Sequence, residues 1–195
     1  MSSGDGPGAP VRKSERTRQA ILRAARRQFT ASGYAKASVR SIAAEAGIDA
    51  AMVIRYFGSK DGLFSAAVSA NLALPDLTAV PPGERGRTLA DHFVRRWEGD
   101  LADDALILLL RSAATHEEAA VRAREVFRGQ LVAMLEAVVP AGEAAPRAGL
   151  VATQVLGLAL CRYVLRLPPV VAMTAAEVGR HLGPTLQRYL TDPLG

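Results

Sequence analysis

Between Ser38 and Phe57 two short amphipathic segments are separated by only Gly47, Ile48 and Asp49. So little chain allows nothing but a tight corner. The first segment opens on Ser38, whose hydroxyl can accept from the free N–H groups of a first helical turn. It carries Val39, Ile42, Ala43 and Ala46 on one side before Gly47 stops it. The second opens on Asp49 as a new cap and runs from Ala50 to Phe57. Two helices joined by a three-residue turn containing Gly make a helix-turn-helix. Small Ala43 and Ala46 let the helices cross closely, and Ile48 and Val53 are expected to fill their shared core. In such a unit the second helix enters the DNA major groove while the first crosses the backbone.

Charge agrees with that expectation. Of the net +5 of the 195 residues, residues 1–60 carry +7 and the remainder −2. A basic first third joined to a mildly acidic remainder reads as a nucleic-acid-binding module attached to something else. With 49% hydrophobic and 22% charged residues, collagen-like and wholly disordered chains are excluded. Cys161 is the single cysteine, so an internal disulfide and a cysteine zinc site are excluded and a reducing, cytoplasmic setting is expected. The first ten residues hold no basic group and no apolar run, unlike a signal peptide. No uninterrupted apolar run reaches the roughly 18 residues of a membrane span.

The remaining periodicity is helical, without strand alternation, so the fold class is all-α. Residues 1–13 are read as a disordered arm with a basic end, where Arg12 and Lys13, with Arg16, could reach a minor groove. A helix over 14–32 presents Ile21, Leu22, Ala25 and Phe29 on one face and ends at Gly33. Another, capped by Ser59, is expected over 60–74. The Pro- and Gly-rich stretch 75–86 reads as a linker, and five helices follow over 86–99, 103–114, 116–139, 147–166 and 174–190.

The helix containing Ile21 and Phe29 is followed by Gly33-Tyr34, Ser38, Ile42-Ala43, Ala46-Gly47-Ile48, Tyr56-Phe57, Lys60 and Leu63-Phe64. In order and spacing this set resembles the tetracycline-repressor (TetR-like) family of bacterial transcription regulators over residues 14–66. The resemblance implies a three-helix DNA-binding domain over 14–59 and a helical ligand-binding and dimerisation domain over 60–195. The partners it implies are a palindromic double-stranded operator, a small-molecule effector and a second copy of the chain. No cofactor, metal or catalytic residue is implied. The expected function is a DNA-binding regulator, a repressor released by its effector, with an activator, a ligand-independent DNA binder and a helical enzyme as the alternatives.

DNA contacts are expected from Ser38, Val39, Arg40, Ala50, Ala51, Met52, Arg55, Tyr56 and Lys60. By resemblance Ser38, Tyr56 and Lys60 take phosphates. Ala50, Ala51 and Met52 are small or apolar and suit thymine methyl groups, which leaves base hydrogen bonding to Arg40 and Arg55. Ile54 departs from the family, which commonly has Tyr there, and Asp49 stands where Ser or Thr is usual.

In the C-terminal part Phe93, Trp97, Leu110, Arg111, Phe127, Met134 and Gln154 are the candidate pocket residues, with core packing as the plainer alternative for the apolar ones. Their composition favours a hydrophobic or amphipathic effector. His116 beside Glu117 and Glu118 reads as a helix start capped by Thr115 rather than an acid/base site. Leu150 to Leu167 is apolar on most faces and needs a partner. Val151, Val155, Leu158, Arg162, Leu182, Leu186 and Tyr189 are the candidate two-fold interface.

Overall fold

The computed structural model describes residues 9–99 and 104–194, and every regular element among them is helical. The chain divides into two compact units, one ending at Ser69 and the other beginning at Ala70.

The first unit holds α1 (Ala9–Lys36), α2 (Val39–Ala46), α3 (Ala50–Phe57) and α4 (Lys60–Ala67). Its core is Ile21, Ala25, Phe29, Ile42, Val53, Leu63 and Phe64, the apolar faces that the helical periodicity picks out. Ile48, expected beside Val53, is only half-buried. Phe64 meets Phe29 edge-on at 5.2 Å and Tyr34 at 5.0 Å. Helical backbone breaks at Gly33, as expected, with φ 76 and ψ 166, a conformation that favours glycine, and a further short helical stretch follows it to Lys36. Residues 9–13, expected in a disordered arm, belong to α1, while residues 1–8 lie outside the described residues.

Residues 60–74 are not one helix. It stops at Ala67, whose carbonyl accepts from Arg26 Nε at 3.0 Å. Beyond it, Asn71 Oδ1 accepts from the Ala73 N–H at 2.9 Å, a local turn that competes with helix, and Pro75 disfavours helical backbone at Leu74. Helix α4 therefore falls in the first unit, although the sequence suggested a boundary at 59/60. The expected linker 75–86 carries two 3₁₀ turns, Leu77–Ala79 and Pro82–Glu84, and the start of α5.

The second unit comprises α5 (Arg85–Glu98), α6 (Asp104–Ser112), α7 (Glu117–Val126), α8 (Ala133–Glu136), α9 (Ala144–Ala159), α10 (Pro168–Val171) and α11 (Ala175–Thr191). Two π-helical stretches, Phe127–Val132 and Leu160–Val164, join α7 to α8 and extend α9. Leu89, Phe93, Leu131, Leu135, Val151, Val178 and Leu186 lie in its core. Helices α5 and α11 approach closely because Gly86 faces Gly183: a Cβ on Gly86 would lie 2.4 Å from the Gln187 nitrogen. Gln187 then accepts from the Gly86 N–H at 2.8 Å and donates to the Pro82 carbonyl at 2.9 Å. Arg147, only 3% exposed, donates to the Tyr189 and Asp192 carbonyls at the end of α11 and pairs with Glu143. At the start of α7 the cap is His116 rather than Thr115, whose hydroxyl donates to the Ser112 carbonyl instead.

Candidate nucleic-acid interface and candidate cavity

Helix α2 is fixed by reciprocal capping. Ser38 Oγ accepts from the Ser41 N–H at 3.0 Å, and the Ser38 N–H donates to Ser41 Oγ at 3.3 Å. Ser41 Oγ also donates to Gln28 Oε1 of α1 at 2.6 Å. Gln28 Nε2 and Arg27 Nε both reach the Glu45 carboxylate, at 2.8 and 2.6 Å. The bonds from Gln28 and then Arg27 hold Glu45 below the usual carboxylate range. The corner that follows uses Gly47 in the left-handed region at φ 70, with the Ile48 N–H on the Ala43 carbonyl. Asp49 Oδ1 accepts from the Ala51 N–H at 2.6 Å. The carboxylate at this position is thus engaged with its own helix.

That corner sets the outward face of α3. Val53 is fully buried, Ala51, Ile54 and Arg55 are exposed, and Ala50, Met52 and Tyr56 are half-buried. Ile54 is 45% exposed, a high value for an isoleucine. Ser38 and Arg40 are exposed at the start of α2, with Val39 half-buried between them. The Tyr56 hydroxyl lies 3.0 Å from Ser14 Oγ of α1. Lys60 turns back onto α1, its Nζ 4.4 Å from the centre of the Tyr34 ring and 3.5 Å from the Ala35 carbonyl. The Tyr34 hydroxyl in turn donates to Asp61. Of the predicted rim residues, Ser38, Arg40 and Arg55 are the exposed ones, whereas Tyr56 and Lys60 are held by α1. Of the proposed minor-groove arm, Lys13 and Arg16 are exposed on α1, and the Arg12 side chain lies outside the described residues.

The second unit contains a cavity of about 200 Å³. Phe93, Trp97, Leu110 and Phe127 line it, as the sequence suggested, together with Leu72, Leu74, Leu106 and Leu109. Arg111, Met134 and Gln154 do not: Arg111 is exposed and Met134 packs against the core. Two polar side chains in the wall escaped the sequence reading. His92 Nε2 donates to the Leu72 carbonyl at 2.9 Å, and Arg96 Nε to the Asn71 carbonyl at 3.0 Å. Burial, ahead of the other influences, pushes His92 below the usual imidazole range. A histidine and an arginine one helical turn apart on α5 were the available signal. Nothing local told them apart from a solvated face.

Several residues expected at a two-fold interface are used inside the protomer. Val151, Leu182 and Leu186 are in the core, because the α5 to α11 and α9 contacts bury that side of each helix. Tyr189, Val155 and Leu158 are half-buried against it. Arg162 Nε pairs with Glu98 at 2.5 Å, and the Tyr163 hydroxyl donates to the same carboxylate at 2.6 Å. The bond from Arg162 holds Glu98 low, and burial pushes the Tyr163 phenol up. Tyr163 stacks on Trp97 at 4.9 Å, which locks one side of the cavity. The exposed side of α9 instead carries Leu150, Thr153, Leu156, Gly157 and Leu160. By length and mean composition alone Ala144–Val164 is apolar enough to cross a membrane, although Thr153, Gln154 and Arg162 interrupt its apolar run. Ala148, Val151 and Ala159 account for part of that apolarity by lying in the core.

A helix-turn-helix with a free apolar and basic outer face, carried ahead of a helical unit with a cavity, is the arrangement that comparison with known proteins finds as well. The model described as "Bacterial regulatory proteins, tetR family" matches residues 21–67. The one described as "Tetracyclin repressor-like, C-terminal domain" matches residues 83–190, more than half of the chain. The chain belongs to the TetR family. It is a DNA-binding transcriptional regulator. A TetR-family regulator from Streptomyces coelicolor is 31% identical over 97% of this chain and 100% of its own, with a TM-score of 0.62. NalD, the secondary repressor of the MexAB-OprM multidrug efflux pump in Pseudomonas aeruginosa, shares the fold at 24% identity and a TM-score of 0.69, covering 92% of this chain and 98% of its own. EbrR, a multidrug binding protein complexed with imidazole, does so at 22% identity and 0.66, covering 93% of each chain. No curated protein matches the chain.

Proposed function

We propose that this TetR-family protein is a homodimeric repressor that binds a palindromic operator through two copies of α2–α3 and leaves it when an uncharged, apolar or amphipathic small molecule enters the cavity. The observation that carries the reading is the pairing of an exposed apolar and basic face on α3 with a carbon-lined cavity in the other unit. Ser38, Arg40, Arg55 and Tyr56 position the unit on phosphates, and Ala50, Ala51 and Met52 face base edges. The cavity holds and releases its ligand unchanged, since its two polar side chains are already tied to backbone carbonyls. NalD is a repressor and EbrR binds drugs, which supports the same pairing here.

The two-fold contact runs along Leu150, Leu156, Gly157 and Leu160. Leu156 is 50% exposed and Leu160 40%, more apolar surface than a lone protomer leaves in water without a use for it. The site of action is the cytoplasm, where operator DNA is. Release is a population shift set by the ligand's differential affinity for the two states. Selection of bound sequences from random duplexes tests this. The expected product is a pair of inverted half-sites about one helical turn, 10 to 10.5 base pairs, apart or a multiple of that; a single unpaired site or no enrichment contradicts it.

A further inference from the structure

The chain that leaves the DNA-binding unit is built into the wall of the cavity. After α4 residues 69–76 form no regular element, so their backbone groups must find other partners. Side chains supply them over three consecutive residues. Gln130 Nε2 donates to the Ala70 carbonyl at 3.0 Å, and Gln130 Oε1 accepts from the Leu72 N–H at 2.8 Å. Arg96 holds the Asn71 carbonyl and His92 the Leu72 carbonyl. An amide side chain carries a donor and an acceptor on separate atoms without changing charge, so Gln130 is suited to grip both sides of the strap. It stands in the π-helical stretch Phe127–Val132, an irregularity that re-aims side chains and recurs at functional sites.

The same strap is under strain and faces the cavity. Ala73 has φ 49, in the left-handed region that a non-glycine residue keeps only when its surroundings hold it there. Its neighbours Leu72 and Leu74 line the cavity, as do the clamping His92 and Arg96. Phe127 and Leu131, which flank Gln130 in its own stretch, line it too. A molecule in the cavity therefore lies against the residues that fix the strap, and the strap continues directly from Ser69.

We infer that the strap reads the occupancy of the cavity, with Gln130 as its latch, and that the molecule it reads is uncharged, apolar and compact. This rests on the regulator reading above. An apolar cavity of about 150 Å³ takes benzene, and 200 Å³ suits a molecule of about ten heavy atoms. Among the described residues no carboxylate lines the cavity, and both ionisable side chains in its wall are turned to strap carbonyls. A cation finds no anionic counter-ion there to offset its desolvation, and an anion would have to pull His92 or Arg96 off the strap.

The test uses the full chain with toluene, naphthalene and biphenyl as neutral probes and naphthalene-sulfonate and naphthylmethylammonium as charged ones. Binding is followed by calorimetry, DNA affinity by anisotropy, and the latch by hydrogen exchange at the Leu72 amide. Expected are binding of at least one neutral probe, none of comparable strength by the charged pair, and a change of about tenfold in Leu72 exchange on binding. Gln130→Leu should speed Leu72 exchange without ligand, keep neutral-probe affinity within about threefold, and shrink the ligand-induced change in DNA affinity. Ala73→Gly, which suits the existing backbone, should do the opposite: slower Leu72 exchange and more ligand needed for DNA release.

Charged probes binding as tightly as neutral ones, no neutral probe binding, Leu72 exchange indifferent to ligand, or a Gln130→Leu protein with the full ligand response would each overturn the inference. A ligand that alters Leu72 exchange in the wild type but leaves DNA affinity unchanged counts instead against release by an effector.

Discussion

The Tyr56 hydroxyl lies 3.0 Å from Ser14 Oγ, joining the end of α3 to the start of α1 across 42 residues of sequence. A phosphate oxygen can only accept, so in the proposed operator complex the phenol proton goes to the phosphate and Ser14 donates to the phenol oxygen. Tyr56→Phe should weaken operator binding about three- to tenfold, in line with a net hydrogen bond of 0.5–1.5 kcal/mol. Ser14→Ala should weaken it by less, and the double variant by little more than Tyr56→Phe alone. Equilibrium binding of the four proteins measures this; additive losses would show that the hydroxyls act separately.

Ala51 and Ile54 lie three residues apart on the exposed face of α3, where their methyl groups suit the C5-methyl of thymine. Replacing a contacted thymine by uracil should cost about fourfold in affinity, the worth of one buried methyl at roughly 0.8 kcal/mol. Ile54→Asn should abolish the difference at one position of each half-site. Uracil substitution scanned along the operator locates it.

Stability in the second unit depends on how closely α5 passes α11. A Cβ at Gly86 would lie 2.5 Å from the Gly183 oxygen as well as 2.4 Å from the Gln187 nitrogen, both backbone atoms that yield only if a helix shifts. Gly86→Ala should cost about 3 kcal/mol. Gly83→Ala, where no atom lies within 4 Å, should stay within about 0.5 kcal/mol. Denaturant unfolding compares them.

His92 is held below its ordinary value of 6.5, chiefly by burial. Above that value both folded and unfolded chains keep it neutral. As pH falls through 6.5 the unfolded chain takes up a proton that the folded chain refuses, so stability is lost on acidification. Glu98, held low by Arg162, adds its own loss only further down, as pH falls below 4.5. Melting temperatures between about pH 7.5 and 5 should therefore fall less in His92→Gln than in the wild type.

The apolar stripe on α9 makes a direct claim about assembly. Leu160→Glu places a charge at a position already 40% exposed in the protomer, so the fold should survive while the dimer does not. Operator affinity should drop about 100-fold or more as the second half-site is lost. Sedimentation and binding measured together check it.

The helix-turn-helix was legible because its signals are local: Ser38 and Asp49 cap as their side-chain chemistry dictates, and Gly47 takes the turn that a Cβ would disfavour. Aromatic pocket residues on α5 were legible by periodicity, since Phe93 and Trp97 fall on one face. What escaped depends on long-range contacts. The strap was hidden because Leu72 and Leu74 continue the helical spacing of α4, and only Asn71, Pro75 and the distant Gln130 and Arg26 decide otherwise. Leu182 and Leu186 looked like an interface because an apolar stripe does not say whether its cover is α5 of the same chain or another copy. The π-helical stretches left no period to read.

The most direct test of the account is the operator affinity of wild-type and Tyr56→Ala proteins across a salt series. The account predicts preference for one palindromic segment over random DNA, a linear fall of log affinity with log salt at about 0.9 per phosphate contacted, and a shallower slope with weaker binding in the variant. Equal affinity for operator and random DNA, with a slope that Tyr56→Ala leaves unchanged, would contradict it.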